Sequence, residues 1–337
     1  MAFQAPVFLL GSHKSGTSLL RSLLDGADGL FVVPVETHFI QFSGFWVDYA
    51  LRAAQPWTFD FDKAVDNYIQ HIQLSNTARV TTSDSVLTGR WDVDGFEAHM
   101  RTTGRKRWKE AGYRGLFDAY IEAIHVSLFG GPPQINRFVE KSVENAEYAP
   151  FLAQLYPEAR FIHIVRNPYA TLVALRNYIG RGRYPFLGSA LRAMKSGYYY
   201  AYKNPLLLSD RYLTIRYEDL VANPEEAMEA IARFVGIEFT DTLLTPTNMG
   251  EPWRGNSTTG ERFESISLRP LIAWKEDIHP LEMAFINRLF LHVVRDFEYQ
   301  PVQSDSSVYL PCPGERPRVY LANRYLWRSV ARGHGIN

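Results

Sequence analysis

An α/β fold built on a central parallel sheet is what the sequence predicts, on three observations. Four short apolar runs rich in β-branched and aromatic residues are each followed by a turn and a stretch of helical periodicity, the pattern of repeated strand–helix–strand units. One of these runs, Arg160-Phe161-Ile162-His163-Ile164-Val165, is continuous enough to be a central strand buried on both faces. With 337 residues, 46 % of them hydrophobic, the chain has the material for one large α/β domain, and its composition is not that of a disordered protein.

The first run, Pro6–Leu10, leads through small residues into a helix expected over Ser15–Asp25, and a shorter apolar run follows at Leu30–Val33. The second, Arg137–Lys141, precedes a helix expected over Asn145–Tyr156, where Tyr148, Phe151, Leu152 and Leu155 recur at helical spacing. The third, Arg160–Val165, turns through Arg166-Asn167-Pro168 into a helix over Tyr169–Tyr178, and Pro168 suits a first turn, where an N–H has no helical partner to lose. The fourth, Tyr212–Tyr217, is followed by Glu218-Asp219-Leu220 and by a helix with Asn223 as N-cap, Pro224 at its first position and Glu225 and Glu226 in its first turn. Pro280–Phe297 is expected as one long amphipathic helix, with Met283, Ile286, Leu289, Phe290 and Val293 on one face.

These elements place residues 1–300 in a single domain. Residues 39–134 exceed what a crossover requires and are expected to form a mostly helical insertion. It is rich in aromatics (Phe42, Phe45, Trp46, Tyr49, Trp57, Phe59, Phe61, Tyr68, Trp91, Trp108) and ends in a basic run, Arg101, Arg105, Lys106, Arg107 and Lys109. Two readings are open: a cap over the strand ends that shapes an acceptor pocket, or a packing layer whose aromatics are core. Packing is the expectation for most of these residues. Residues 301–337 form a C-terminal extension with Tyr320, Leu321, Tyr325, Leu326, Trp327 and Val330 set among arginines. It is expected to dock on the core, with contact to an anionic membrane surface as the alternative.

Basic and acidic residues number 36 each, so the formal net charge is zero and an anion site must come from local clustering. Nucleic acid is not an expected partner. The single cysteine, Cys312, excludes an internal disulfide and a zinc site built on several cysteines. No two histidines stand at H-x-x-x-H or H-x-x-E-H spacing, so no metal site is expected. The opening residues, Met1 to Pro6, carry no basic segment, and no apolar run approaches the roughly 18–20 residues of a membrane span. The expectation is a soluble, cytoplasmic protein.

The motif richest in chemistry is Phe8-Leu9-Leu10-Gly11-Ser12-His13-Lys14-Ser15-Gly16-Thr17-Ser18-Leu19-Leu20, a buried strand running into a small-residue loop and a helix start. Such a loop cradles phosphate, because its backbone N–H groups converge and the helix N-terminus adds about half a positive charge. Lys14 adds a full charge. The spacing departs from the nucleotide loop G-x-x-x-x-G-K-[ST], since Thr17 stands where the lysine belongs and the lysine lies upstream at position 14. Lys14-Ser15-Gly16-Thr17-Ser18 resembles instead the 5′-phosphosulfate loop of sulfotransferases that use 3′-phosphoadenosine 5′-phosphosulfate (PAPS).

That resemblance extends along the chain and is nearest to the bacterial and heparan-type carbohydrate sulfotransferases. It implies a P-loop NTPase-like three-layer α/β fold, PAPS as donor, adenosine 3′,5′-bisphosphate as product, and no required metal. Ile164-Val165-Arg166-Asn167-Pro168 is similar to the family's 3′-phosphate motif, with Arg166 as the clamp. The serine usual eight residues later is Ala174 here, and Thr171 is the candidate substitute on the same helix. Glu36-Thr37-His38-Phe39 resembles the segment that holds the catalytic glutamate, which makes Glu36 the candidate base. His38 is its rival, because the aryl and steroid branch uses a histidine. Glu140-Lys141-Ser142-Val143-Glu144-Asn145 is similar to the run whose lysine stands beside the sulfuryl group, with Val143 in place of the usual proline. Lys141 then acts with Lys14 on the leaving oxygen, unless it pairs with Glu144 at the surface. Ser267–Lys275 resembles the region that closes over the nucleotide, giving Arg269 and Trp274 as further donor contacts, while Tyr217-Glu218-Asp219-Leu220 is assigned to folding. The acceptor implied first is a glycan-type hydroxyl, with a small alcohol, phenol or lipid open. The alternatives are an ATP-dependent P-loop phosphotransferase and a non-catalytic nucleotide-binding module.

Overall fold

Strand β1 (Val7–Gly11) bears no charge and has no exposed residue, and it occupies the centre of the molecule accordingly. In the computed structural model, residues 2–45, 59–77, 87–255, 262–263, 265–303, 311–312 and 314–333 are described. After β1 come helix α1 (Thr17–Leu24), the edge strand β2 (Phe31–Val32), and the helices α2 (Phe61–Ser75), α3 (Val93–His99) and α4 (Arg105–Phe129). Next are β3 (Phe138–Lys141), α5 (Asn145–Leu155), β4 (Arg160–Val165), α6 (Pro168–Gly180), α7 (Gly188–Leu208) and β5 (Tyr212–Arg216). Helices α8 (Tyr217–Ala222) and α9 (Pro224–Val235), the short pair β6 (Thr247–Asn248) and β7 (Glu251–Pro252), and helices α10 (Arg269–Ile272), α11 (Trp274–Asp277), α12 (Pro280–Leu289), α13 (Leu291–Asp296) and α14 (Pro317–Ala331) complete the chain.

The five main strands form one parallel sheet in the order β2-β3-β1-β4-β5. Strand alternation divides its side chains between two layers. Phe8, Leu10, Phe138 and Phe161 join one core with α2, α4 and α5, whereas Val7, Leu9, Val139, Ile162 and Ile164 join another with α1, α8 and α9. A third core gathers α6, α7, α12 and Val330 of α14 around Tyr169, Tyr198 and Phe285. The parallel strands end together, so Gly11, Lys141, Val165 and Arg216 deliver their following loops to one edge. Ligands of open parallel sheets bind at that edge.

Two expectations are corrected. The long helix over Pro280–Phe297 is two helices, because Phe290 (φ −127°, ψ 15°) leaves the helical region and lies buried against Tyr198. No glycine or proline marks that break. An unexpected helix, α8, follows β5 directly at Tyr217. The described part of the insertion is a packing layer on the sheet: Phe117 stacks on Phe39 with ring centroids 4.1 Å apart, and Tyr68 stacks on Tyr120 at 4.4 Å. The three arginines of its basic run form ion pairs, with Arg101 on Asp66 and Glu97 at 2.7 Å each, Arg107 on Glu122 at 2.7 Å and Arg105 on Asp62. Trp46, Tyr49 and Trp57 lie outside the described residues. Among the described residues, no helix is long and apolar enough to cross a membrane.

Phe117 is fully buried among Phe8, Phe39, Phe138 and Tyr156. Phe117→Ala is expected to lower unfolding free energy by about 3–5 kcal/mol in urea titration, the loss typical of an excised core aromatic.

Candidate active site

The loop between β1 and α1 is held open by backbone conformations that an ordinary residue resists. Gly16 has φ 108° and Lys14 φ 66°, and the Ser15 N–H closes a turn onto the Ser12 carbonyl at 3.1 Å. A Cβ on Gly16 would lie 2.2 Å from the Tyr217 ring, and one on Gly197 of α7 would lie 1.9 Å from the Ser12 Oγ. Glycine is therefore required at both positions, the first for conformation and contact, the second for close packing of α7 beneath the loop. The Ser15 hydroxyl is buried with no protein hydrogen-bond partner. A buried hydroxyl left without a protein partner is uncommon.

Beside the loop lies a cavity of about 590 Å³, bordered by Lys14, Thr17, Arg166, Tyr217, Arg269 and Trp274 among others. Arg166, just beyond β4, donates from Nη1 to the Lys14 carbonyl at 2.9 Å and from Nη2 to the Pro270 carbonyl at 3.1 Å. Its guanidinium stacks 4.6 Å from the Tyr217 ring centroid, and its buried Nε has no partner. Trp274 stacks on Tyr169 at 5.5 Å and bonds the Leu271 carbonyl through its ring nitrogen. Gly16 and Ser18 complete the cavity's loop side.

Thr171 is not at the cavity. Helix α6 presents Ala170, Val173, Ala174 and Asn177, an i, i+3, i+4, i+7 stripe, to the cavity. Thr171 falls on the other side, fully buried, with its hydroxyl donating to the Asn167 carbonyl at 3.0 Å. Asn177, which the sequence reading passed over, faces the space instead and donates to Asp277 at 2.9 Å. Tyr217 also has a larger part than folding, as the platform under both Gly16 and Arg166. Glu218 does act in the fold, accepting the Asn167 N–H at 3.0 Å and the Tyr299 hydroxyl at 2.9 Å.

Alternation along β3 gives its two charged residues different surroundings. Glu140 turns inward, fully buried, where its carboxylate accepts the Thr37 hydroxyl at 2.8 Å, the Asn145 amide at 2.6 Å and the Ser142 hydroxyl. Burial raises its pKa against the opposing effect of these donors. This bracket pins Thr37, and the Tyr120 hydroxyl pins the Thr37 carbonyl at 3.0 Å. Lys141 turns the other way and its ammonium contacts the Glu36 carboxylate.

Glu36 is thus paired with Lys141, and Glu144 is not. Burial pushes the Glu36 carboxyl up, but the Lys141 charge and hydrogen bond, with His38, outweigh it and hold the pKa at about 2. His38 sits between two carboxylates, with Nε2 3.6 Å from Glu36 and Nδ1 3.6 Å from Glu144. Burial lowers its pKa, yet Glu144 and Glu36 together raise it above the usual histidine value. His13 lies 3.8 Å from the far side of Glu144. His71, brought in by α2, lies 2.8 Å from the Glu36 carbonyl, so its Nε2 carries the proton; burial and the His38 charge lower its pKa to about 4. His38 has φ 46°, an uncommon conformation for a non-glycine residue and one often found at functional sites. Lys14 links the two halves of the site: it borders the cavity, and its pKa is lowered by burial and by the nearby Lys141 charge, with Glu36 opposing.

His13 and His71 were not picked out from the sequence, and Glu144 only as an alternative partner for Lys141, because three separate segments bring them to Glu36. The same geometry produces a cluster that histidine spacing did not anticipate: Glu36, His38 and Glu144 each offer a ligand atom, all within 4.8 Å of one another. That spacing suits a divalent cation, although the Lys141 ammonium already compensates Glu36.

The sequence family described as "Sulfotransferase family" matches residues 6–241, more than half of the chain. The chain belongs to the sulfotransferase family. It is similar to protein-tyrosine sulfotransferase 2 of Gallus gallus, 24 % identical over 272 residues that cover 79 % of this chain; the chain spans 60 % of that relative's length. Two solved structures share its fold. The sulfotransferase domain from the curacin biosynthetic pathway superposes with a TM-score of 0.55 at 18 % identity, over 90 % of this chain and 100 % of that one. The sulfotransferase domain from the Synechococcus PCC 7002 olefin synthase gives 0.51 at 18 %, over 97 % and 96 %. The fold is therefore the P-loop NTPase-like α/β fold of sulfotransferases.

Two measurements check the geometry. Gly16→Ala forces both an unfavourable φ and a clash with Tyr217, and binding of adenosine 3′,5′-bisphosphate is expected to weaken by about tenfold or more in calorimetry. The raised pKa of His38 means that its ion pairs add stability below the ordinary value of 6.5 and lose it as pH rises through the raised value. The stability difference between wild type and His38→Gln should therefore be largest below pH 6.5 and shrink above it, as read by urea denaturation across pH.

Proposed function

We propose that this chain transfers the sulfuryl group of PAPS to an acceptor hydroxyl, with Glu36 as general base, Lys14 and Lys141 on the leaving oxygen, and Arg166 on the 3′-phosphate. The observation that carries this reading is the junction of a phosphate-shaped loop with an ionised carboxylate: Lys14 belongs to both. The residues present fit the donor. Ser15 and Arg166 each hold a buried donor atom without a protein partner, and Lys14, Arg166 and Arg269 supply positive charge around the cavity. Thr17, Ser18 and Trp274 complete the candidate donor contacts.

In the proposed in-line transfer the bond from sulfur to the 5′-phosphate oxygen breaks, a bond from sulfur to the acceptor oxygen forms, and the acceptor's proton passes to Glu36. Positive charge from Lys14 and Lys141 counts most when the leaving oxygen has gained its charge, so it lowers the barrier and not merely the donor's energy. As Lys141 turns to that oxygen, Glu36 loses its counter-charge and becomes more basic. This argument favours Glu36 over His38, since the two flanking carboxylates favour the protonated form of the histidine, which has no lone pair for the acceptor's proton.

A glycan hydroxyl is the first acceptor class to test, on the strength of Glu36-Thr37-His38-Phe39 and Lys141. A tyrosine phenol is the second, because the Gallus gallus relative is named for that acceptor. An ATP-dependent phosphotransferase is the reading against which donor specificity is measured, and a cytoplasmic setting suits a nucleotide donor.

Glu36→Gln should lower kcat about 10²- to 10⁴-fold with donor binding retained. Arg166→Ala should weaken adenosine 3′,5′-bisphosphate by about 2–4 kcal/mol, the range for a lost charge-assisted contact. Activity kept by Glu36→Gln but lost in His38→Ala would transfer the base to His38. Equal affinity for ATP and adenosine 3′,5′-bisphosphate would overturn the donor assignment.

A further inference from the structure

The chain is formally neutral, yet its charge is segregated. Residues 178–209 contain Arg181, Arg183, Arg192, Lys195 and Lys203 and no Asp or Glu; residues 316–333 contain Arg316, Arg318, Arg324, Arg328 and Arg332 and again no acid. Asn323, fully buried in the middle of α14, joins the two segments by accepting the Leu187 N–H at 2.9 Å and donating to the Pro185 carbonyl at 3.1 Å. Glu315, which receives the same amide at 2.9 Å, is the acid at this junction.

Helix α14 is two-faced. Val330 is buried and Trp327 packs edge-on against Phe285 at 5.3 Å, which docks one side on α12. The other side carries Arg318, Leu321, Tyr325, Arg328 and Arg332 at spacings of three and four, all exposed. Leu321 is 62 % exposed and Tyr325 78 %, and Phe186, in the loop tied to Asn323, is 38 % exposed. Apolar side chains alternating with arginines, with no acid among them, match an interface that is apolar just below a layer of negative charge.

We propose that α14 and the adjoining Arg181–Phe186 loop form a docking surface for an anionic lipid bilayer, with Leu321 and Tyr325 entering the headgroup layer and the arginines pairing with phosphate and carboxylate above it. The exposed apolar pair selects a bilayer over a nucleic acid, which would meet the arginines but bury neither Leu321 nor Tyr325. This surface uses none of the residues assigned to donor binding or chemistry.

Sedimentation of the full chain with vesicles tests it. Phosphatidylcholine vesicles containing about 30 % phosphatidylserine should retain the protein at about 0.05 M salt, pure phosphatidylcholine should not, and about 0.5 M salt should weaken retention about tenfold or more. The double variant Leu321→Asp, Tyr325→Asp should lose about tenfold or more of the retention while melting temperature and affinity for adenosine 3′,5′-bisphosphate stay unchanged. No retention on phosphatidylserine overturns the proposal. So does a double variant that binds vesicles like wild type, or duplex DNA that binds as tightly as the vesicles and is indifferent to both substitutions, since charge alone would then explain the surface.

Discussion

The side chain of Lys141 is only 4 % exposed, and the cluster of Glu36, His38 and Glu144 depends on the charge that such a lysine demands. An ammonium withdrawn from water is unfavourable by several kcal/mol unless a counter-ion stands against it, and removing one partner of a buried pair typically costs about 3–5 kcal/mol. Glu36 is that counter-ion. It is delivered from the loop after β2 by the Thr37–Glu140 bracket, so a fully buried carboxylate on one side of β3 fixes the partner of the lysine on its other side. Glu140 is in this sense a positioning residue: together with the Tyr120 hydroxyl on the Thr37 carbonyl it holds Thr37, and through Thr37 the neighbouring Glu36, at the end of the sheet.

The phosphate loop poses the complementary problem. Lys14, Lys141 and Arg166 lie close enough to depress the Lys14 pKa along with burial, so the cations are arranged against their own repulsion. A protein with no anion to bind gains nothing from that arrangement; an anionic ligand relieves it. The structure compensates in part before any ligand arrives. Arg166 gives two N–H groups to carbonyls and its face to Tyr217, and Lys14 lies 4.6 Å over the Tyr178 ring. Each of these contacts is weaker than an ion pair with phosphate, so the residues are held in place without being neutralised.

Much of this was legible in the sequence, and what was not has identifiable causes. Strand β4 has the limits predicted because six apolar-rich residues end at Arg166-Asn167-Pro168, where proline forbids continuation. The turn from β1 into α1 was legible because Gly11, Ser12, Ser15 and Gly16 cluster between an apolar strand and a helix start. The break at Phe290 was not, since nothing local interrupts the helix and the cause is packing against Tyr198. Thr171 was misplaced by helix phase: a position three residues before Ala174 lies 60° round the helix, enough to pass from the cavity to the core. The alternative that paired Lys141 with Glu144 rested on proximity along the chain, but strand direction sends Lys141 to Glu36 and leaves Glu144 to His38.

Helix α6 connects the parts of the molecule that carry charge. One side of it borders the cavity through Ala170, Val173, Ala174 and Asn177, its last turn carries the Tyr178 ring under Lys14, and its C-terminus at Arg181 opens the basic loop that Asn323 fastens to α14. Arg176 locks the middle of this helix to Asp277 at 2.6 Å and to Glu282 at 3.3 Å, tying it to α11 and α12. One rigid element therefore runs from the donor cavity to the basic surface, so the orientation of that surface sets the orientation of the cavity. A macromolecule or membrane that engaged the arginine face would meet the cavity beside Arg166 in the orientation that α6 sets.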